Sequence, residues 1–169
     1  DHELNAATFA ARVATSAGAR GPEAFVAAIA TATGVRHAAA CDGAERVWKL
    51  AVSRVKERFE QGLALEGFEA GAYPDGDPRG DRLISLVRPR LTARDGARLT
   101  ELLAAARDEG LFPSVDLGLV LICHALRFPP RSASLLFVIG RTAGWLAHIE
   151  EQAASGDPIR PRARSISHG

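Results

Sequence analysis

The sequence predicts an all-α protein, and three observations lead to that fold class. Several long segments place apolar residues three and four positions apart, the spacing that puts them on one face of a helix. Alanine is frequent in the 169-residue chain whereas aromatic residues make up only 6%, a balance that favours helix over strand. Apolar residues reach 47%, which is enough for a sizeable core in one ordinary domain or in two small ones.

The first part of the chain carries the pattern of three successive helices. The first is expected from Leu4 to Ala17, capped by Asn5 or by the acidic residues before it. Pro22 stands where its fixed φ suits the first turn of a helix, and Gly34 is a natural helix end. The second and third helices are therefore expected at residues 22–33 and 38–61.

Residues 62–79 interrupt the helical pattern. Glycine recurs there, and the run from Tyr73 to Arg79 is dense in residues that favour turns. A short β-ribbon is expected near residues 63–73. Helices then resume at residues 78–88, 95–109, 116–126 and 131–154, and Asp116 is expected to cap the third of these. Residues 155–169 form an irregular, basic tail.

Charge and cysteine content narrow the function classes. With 21 basic and 20 acidic residues the net charge is +1, so nothing points to a nucleic-acid partner. No uncharged run of 18 apolar residues predicts a membrane helix, and no signal-peptide pattern is present, so we expect a cytoplasmic protein. Cys41 and Cys123 form no CxxC pair and are expected to be reduced and buried. Neither a metal-ligand cluster nor a phosphate-binding loop is recognised.

Arg141 is the polar residue that stands out. It lies in the middle of the apolar last helix, where its neighbours one turn away are Phe137, Val138, Gly144 and Trp145. A buried guanidinium keeps its charge and therefore needs an anionic partner. Gly140 and Gly144 cost the helix about 1 kcal/mol each relative to alanine, which suggests close approach by a ligand or another backbone. The partner can be a ligand or a buried carboxylate; both alternatives remain open.

The other polar candidates also have plain structural explanations. Asp116 can serve as a helix cap, and His2, His37 and Arg160 can be ordinary surface or core residues. Arg79 can pair with Asp75 or Asp77. Considered singly, none of these residues assigns a function.

Taken together, these residues occur in a recognisable order along the whole chain. The ordered motifs are Asp1-His2-Glu3-Leu4-Asn5, a histidine at a helix start (His37), Gly67-Phe68, Tyr73-Pro74-Asp75-Gly76-Asp77-Pro78-Arg79, Val115-Asp116, Gly140-Arg141-Thr142-Ala143-Gly144-Trp145 and Arg160-Pro161. This order resembles the C-terminal half of citrate synthases. The family joins the methyl carbon of acetyl-CoA to the ketone of oxaloacetate and then hydrolyses the thioester.

The resemblance implies a role for each matched residue. Arg79, Arg141 and Arg160 match the arginines that bind the carboxylates of oxaloacetate, a task to which the guanidinium fork is suited. His2 matches a histidine that also contacts oxaloacetate. Asp116 matches the base that deprotonates the acetyl group, and His37 matches the donor that stabilises the enol or enolate. The resemblance implies no tightly bound cofactor: acetyl-CoA or another acyl-CoA is a substrate.

Two departures from the family pattern bear on activity. The family loop reads Gly-Phe-Gly-His, and its histidine polarises the oxaloacetate carbonyl; here Ala70 stands at that position. Loss of one such donor typically costs on the order of 10²–10³ in rate. The second departure is Ala38-Ala39 after His37, where the family usually has two glycines that let backbone approach the ligands. Both loops are where the family holds CoA.

The resemblance also predicts the organisation of the protein. Residues 1–36 and 123–169 are expected to be large-domain helices, with 37–122 as a small domain between them. The arginine matching Arg160 comes from the neighbouring subunit, which implies a homodimer. The chain contains no methionine and lacks the N-terminal half of the family's fold, so we expect a piece of a longer protein or a partner chain that supplies that half. Three alternatives remain open: an active acyltransferase, a carboxylate-binding protein impaired by Ala70, and a folded remnant with neither activity nor ligand.

Overall fold

The computed structural model describes residues 4–34, 40–63, 65–69, 73 and 76–160, and its helical content confirms the all-α class. His2, His37 and Ala70 lie outside the described residues. The elements in chain order are α1 (Ala6–Ser16), α2 (Gly21–Ala32), α3 (Ala40–Lys49), α4 (Val52–Glu60), β1 (Phe68–Glu69), α5 (Pro78–Val87), a 3₁₀ turn (Arg88–Arg90), α6 (Ala93–Asp108), β2 (Phe112–Pro113), α7 (Val115–Ala125) and α8 (Ser132–Ser155). None of the helices in this described part combines the length and hydropathy needed to span a bilayer.

Side-chain caps define several of the helix starts. Asn5 accepts a hydrogen bond from the backbone N–H of Thr8 at 3.0 Å, which confirms it as the cap of α1. Asp77 caps α5, Thr92 caps α6 and Ser114 caps α7 in the same way. These caps satisfy backbone donors that have no partner within the helix.

The single helix predicted at residues 38–61 is wrong, because the chain breaks between α3 and α4. Leu50 leaves the helix, and Ala51 is extended (φ −60°, ψ 142°). Arg98 of α6 donates to the Trp48 carbonyl at 2.6 Å and also to the Leu50 carbonyl, and its guanidinium lies 4.9 Å from the centre of the Trp48 ring. In a continuous helix those carbonyls would accept hydrogen bonds from the backbone N–H groups four positions later. The side chain of Arg98 therefore supplies the hydrogen bonds that these carbonyls lose at the break.

The predicted β-ribbon exists, but its partner strand comes from elsewhere in the sequence. β1 pairs antiparallel with β2, with Phe68 opposite Pro113 and Glu69 opposite Phe112. The Ser114 N–H also donates to the Gly67 carbonyl at 2.9 Å. The ribbon therefore fixes the chain immediately before α7.

The helix predicted from Asp116 begins one residue earlier, so Asp116 is not its cap. Ser114 Oγ accepts from the Asp116 N–H at 3.2 Å, and Asp116 is the second residue of α7. Its carboxylate is consequently available for contacts outside the helix.

The described contacts divide the chain into two compact units. The first comprises residues 1–33 and 140–169, and the second comprises 34–139. In the first unit α1 packs on α2 through small buried residues, among them Ala7, Ala11, Ala24 and Ala28. In the second unit α7 packs on both α3 and α5, and α4 packs on α6. The division resembles the predicted domains in order but differs in its bounds, and correspondence with the family's large and small domains stays a prediction.

Candidate active site

Asp116 lies at the start of α7 in a poorly solvated position. The side chain is half-buried, and its Oδ1 accepts a hydrogen bond from the thiol of Cys41, at an Sγ–Oδ1 distance of 2.9 Å. The Ser114 hydroxyl lies 3.4 Å from Oδ2. Burial raises the pKa of Asp116, while the hydrogen bonds from Cys41 and Ser114 and the charge of Arg79 oppose the rise. The result is a carboxylate with raised basicity, held by two short side chains.

Arg79 is fixed beside this carboxylate by Asp77. The guanidinium donates from Nε to Oδ1 at 2.8 Å and from Nη2 to Oδ2 at 3.0 Å, a bidentate pair. The ring of Tyr73 lies 5.2 Å from the guanidinium carbon. The pairing with Asp77 confirms one of the partners expected for Arg79 from the sequence. The side chain of Arg79 nevertheless keeps 28% of its surface exposed, so a ligand can reach it.

Asp77 is the residue of this site that the sequence interpretation missed. It is 1% exposed and also accepts from the backbone N–H groups of Arg79 at 2.9 Å and Val115 at 3.0 Å. Burial raises the pKa of Asp77, but the hydrogen bonds from Arg79 and Val115 outweigh burial and leave the pKa lowered. Its carboxylate therefore joins the first turn of α5 to the first turn of α7. The available signal was Asp77-Pro78, a cap followed by proline at the first helical position.

Two glycines allow α5 and α7 to approach closely enough for these contacts. A Cβ added to Gly80 would lie 2.4 Å from the Pro113 carbonyl oxygen, and one added to Gly118 would lie 2.7 Å from Leu83 Cβ. Real Cβ atoms do not approach so closely, so larger residues here would push the two helices apart. The glycines thus set the distance between the helix that carries Arg79 and the one that carries Asp116.

A third carboxylate makes the surroundings of Asp116 acidic. Burial raises the pKa of Glu69 on β1, and the charges of Asp77 and Asp116 raise it further. We name Glu69, Asp77 and Asp116 the carboxylate cluster; Arg79 is the cation beside it. No group of side chains suited to a metal ion occurs within the described residues.

Arg141 belongs to the other unit, where it is buried as predicted, with 5% of its surface exposed. Its Nη2 donates to the hydroxyl of Thr8 at 2.7 Å, and burial lowers its pKa. A Cβ added to Gly144 would lie 2.2 Å from Nη1 of Arg141. Gly144 therefore provides room for the guanidinium to lie along its own helix. At Gly140 no atom of the described residues comes within 4 Å of an added Cβ.

Comparison with known proteins decides the family. The sequence-family model described as "Citrate synthase, C-terminal domain" matches residues 1–162. The chain belongs to the citrate synthase family. Citrate synthase 2 of Bacillus subtilis is 30% identical over 96% of this chain and 47% of its own length. The 2-methylcitrate synthase of Mycobacterium tuberculosis is 31% identical over 99% of this chain and 46% of its own length. The solved structure of the citrate synthase of Pyrobaculum aerophilum matches this chain with a TM-score of 0.83 at 26% identity. The match covers 100% of this chain and 46% of the Pyrobaculum chain.

The chain thus spans about half the length of these citrate synthase relatives. Of the residues expected to form the citrate synthase site, Arg79 and Asp116 lie in the second unit. They are close enough for the charge of Arg79 to oppose the rise in the pKa of Asp116. Arg141 and Arg160 lie in the first unit, and Arg160 is exposed. His2 and His37, like Ala70, fall outside the described residues. The catalytic and substrate-binding roles of all six site residues stay predictions.

Proposed function

We propose that this chain is the catalytic half of a citrate synthase-type acyltransferase. The reaction removes a proton from the carbon next to the thioester of acetyl-CoA or a related acyl-CoA. The resulting enol or enolate attacks the ketone of oxaloacetate, and water then cleaves the thioester to release free CoA. In this proposal Asp116 accepts the proton, and His37 donates a hydrogen bond to the enolate oxygen.

The environment of Asp116 is the single observation that carries the proposal. A carbon acid is weak, so its base must be more basic than an ordinary carboxylate and must not be strongly solvated. Burial at the start of α7 raises the pKa of Asp116, which supplies that basicity. Among the residues that the structure describes, no cation forms a salt bridge with Asp116 that would offset this burial.

The arginines supply the charge that oxaloacetate requires. We assign its carboxylates to Arg79, Arg141 and Arg160, with a further contact from His2. Arg79 is oriented in advance by its bidentate pair with Asp77, and Arg141 by its hydrogen bond to Thr8. Such orientation reduces the entropy lost when the substrate binds. We further propose that the protein is a cytoplasmic homodimer in which Arg160 enters the neighbouring subunit's site, that it acts in the tricarboxylic acid cycle, and that a preceding half or a partner chain completes the large domain.

The test is release of CoA thiol by this chain assembled with the proposed preceding half or partner chain. Acetyl-CoA and propionyl-CoA should both be tried with oxaloacetate, because the relatives include citrate and 2-methylcitrate synthases. We expect oxaloacetate-dependent release with at least one donor. Asp116→Asn should lower kcat by roughly 10²–10⁴, the usual contribution of a general base. Absence of release above buffer at saturating substrates would exclude the proposed activity.

Ala70 favours a second candidate function, carboxylate binding without turnover. The matched histidine would polarise the oxaloacetate carbonyl, and alanine cannot donate a hydrogen bond. Under this alternative, calorimetry detects oxaloacetate or citrate binding although no product forms. Ala70→His then raises turnover strongly. If the substitution leaves turnover unchanged, Ala70 does not occupy the position of the missing histidine.

A further inference from the structure

We propose that Cys41 is a positioning residue for Asp116, holding Oδ1 so that Oδ2 is the atom that accepts the substrate proton. The inference rests on the proposed function, in which Asp116 is the base. It adds a residue that acts through the base and never touches the substrate.

The contact is direct, and its donor side is buried. Cys41 is fully buried in the first turn of α3, and its Sγ lies 2.9 Å from Asp116 Oδ1. Burial raises the pKa of the Cys41 thiol, and the charge of Asp116 raises it further. The thiol therefore keeps its proton and acts as a hydrogen-bond donor, and it is neither a nucleophile nor a metal ligand.

The two oxygens of Asp116 have different surroundings. Oδ1 accepts a hydrogen bond from the thiol, whereas the contact that Oδ2 makes within the described residues is with the Ser114 hydroxyl, at the long distance of 3.4 Å. Ser114 Oγ also accepts from the Asp116 N–H, so its main contact is with the backbone. An oxygen with one weak contact can accept a new proton without first breaking a strong hydrogen bond. The geometry therefore distinguishes Oδ2 as the reactive atom.

Cys41 also connects the base to a second element of the site. It lies on α3, which packs on α7, and it follows His37 by four positions in the sequence. The thiol thus ties the carboxylate of α7 to the start of the helix that follows the predicted enol donor. A change at Cys41 is expected to alter both the direction of the Asp116 carboxylate and its basicity.

The charged and titratable groups facing Asp116 come from several elements. Within the described residues they are Cys41 from α3, Arg79 from α5 with its cap residue Asp77, and Glu69 from β1. A hydrogen bond from a neutral thiol stabilises the charged carboxylate and so lowers its pKa. Removing the thiol should therefore raise the pKa of Asp116, while the other groups remain unchanged.

The test compares Cys41→Ala, Cys41→Ser and the control Cys123→Ala in the complete protein. Cys123 is the matched control because it is the other free, buried cysteine among the described residues. We expect Cys41→Ala to lower kcat by about tenfold, the effect of losing one hydrogen bond to a charged group. Its KM for oxaloacetate should not change, and the acid limb of its kcat/KM profile should move to higher pH. Cys41→Ser should recover part of the loss, and Cys123→Ala should behave like the wild type.

A carbon-13 NMR titration of the Asp116 carboxyl, assigned with Asp116→Asn, provides a readout independent of activity. The inference predicts a higher carboxyl pKa in Cys41→Ala than in the wild type. Equal values, or an activity loss without any movement of the acid limb, would overturn it. If the wild-type protein is inactive, the proposed function fails, while the titration still decides whether the thiol holds the carboxylate.

Discussion

Asp116 is a carboxylate that the fold keeps where a charge is poorly solvated. Burial raises its pKa, and the hydrogen bonds from Cys41 and Ser114 oppose that rise without cancelling it. A group with a raised pKa in the folded state binds its proton more tightly there than in the unfolded chain. Its negative charge therefore opposes folding at neutral pH, which is a cost that active sites commonly carry.

Replacing Asp116 by asparagine should stabilise the protein at neutral pH while removing activity. The amide keeps the size of the side chain but carries no charge. The gain in the free energy of unfolding should be on the order of 1 kcal/mol at pH 7. It should be absent below the ordinary carboxyl pKa of 3.8 and should grow as pH rises towards the higher folded-state pKa. Denaturant unfolding at several pH values measures it.

Asp95→Asn serves as the control, because its expected effect on the free energy of unfolding has the opposite sign. The hydrogen bond from His124, at 3.0 Å, lowers the pKa of Asp95, so its charge favours folding above the ordinary carboxyl pKa. That contribution is lost as pH falls through the lowered folded-state pKa. Asp95→Asn should therefore destabilise the protein at neutral pH. A destabilising Asp116→Asn would contradict the view of Asp116 as a strained base.

Gly144 tests the placement of Arg141. Gly144→Ala puts a methyl group at the position of Nη1 and should displace the guanidinium from Thr8. Because the guanidinium is the end of a flexible side chain, we expect little loss of stability but an oxaloacetate affinity lower by about tenfold. Gly140→Ala is the matched control: it should leave affinity unchanged and stabilise α8 by up to about 1 kcal/mol. Calorimetry and thermal unfolding distinguish them; equal affinities in both variants would exclude Arg141 from the oxaloacetate site.

The sequence predicted some residues of the site and missed others for a physical reason. The burial of Arg141 and the pairing of Arg79 with Asp77 could be inferred, since helix spacing and short-range pairing are local properties. The contacts of Cys41 and Asp77 with α7 could not, because their partners lie 75 and 38 positions away in the sequence. Cys41 was interpreted only as a buried cysteine.

At the level of elements, helix existence was predictable and helix continuity was not. The residues around Leu50 contain no glycine or proline, so the pattern predicted one helix. The break between α3 and α4 is accompanied by the contacts of Arg98, a residue 48 positions from Leu50. Tertiary contacts of this kind routinely override local propensity. The same reason explains why β1 was expected but its partner, β2, was not.

Gly80 tests the close approach of α5 and α7. Gly80→Ala would bring a methyl group within 2.4 Å of the Pro113 carbonyl oxygen, which belongs to the backbone and cannot move cheaply. We expect a loss of roughly 2 kcal/mol in the free energy of unfolding, the usual cost of overpacking. Activity should fall as well, since the separation of Arg79 and Asp116 changes.

Gly96→Ala is the matched control for this prediction. It also lies in a helix, α6, but no atom of the described residues comes within 4 Å of an added Cβ. The substitution should stabilise the protein by up to about 1 kcal/mol because alanine favours helix. If Gly80→Ala proved as stable as Gly96→Ala, close packing at Gly80 would not govern the α5–α7 distance.

At the level of the whole molecule, composition and helical periodicity predicted the all-α fold class, and the order of the motifs predicted the citrate synthase family. The match to the citrate synthase C-terminal domain over residues 1–162 confirms the latter. The contact-based units break at residues 33 and 139 whereas the predicted domains break at 36 and 122. The predicted domains came from the family resemblance, and their correspondence with these units stays a prediction.

The proposed homodimer makes a prediction about mixed subunits. If Arg160 acts in the site of the neighbouring subunit, Asp116→Asn and Arg160→Ala disable different halves of one site. Random mixing of the two inactive variants should produce one intact site in each hybrid dimer, or about a quarter of wild-type activity. Activity is measured after the subunits have exchanged. No recovery, despite exchange shown by native mass spectrometry, would place Arg160 in its own subunit's site or outside any site.

The central claim is that the protein condenses an acyl-CoA with oxaloacetate and uses Asp116 as the base. The most direct test follows the formation of citrate. The complete protein is supplied with oxaloacetate and acetyl-CoA labelled with carbon-13 in the methyl group, and the label is followed by NMR. We predict labelled citrate in step with released CoA, and a rate reduced by roughly 10²–10⁴ in a folded Asp116→Asn variant. Citrate formed equally fast by that variant, or CoA released without labelled citrate, would contradict a condensation that depends on Asp116 as its base.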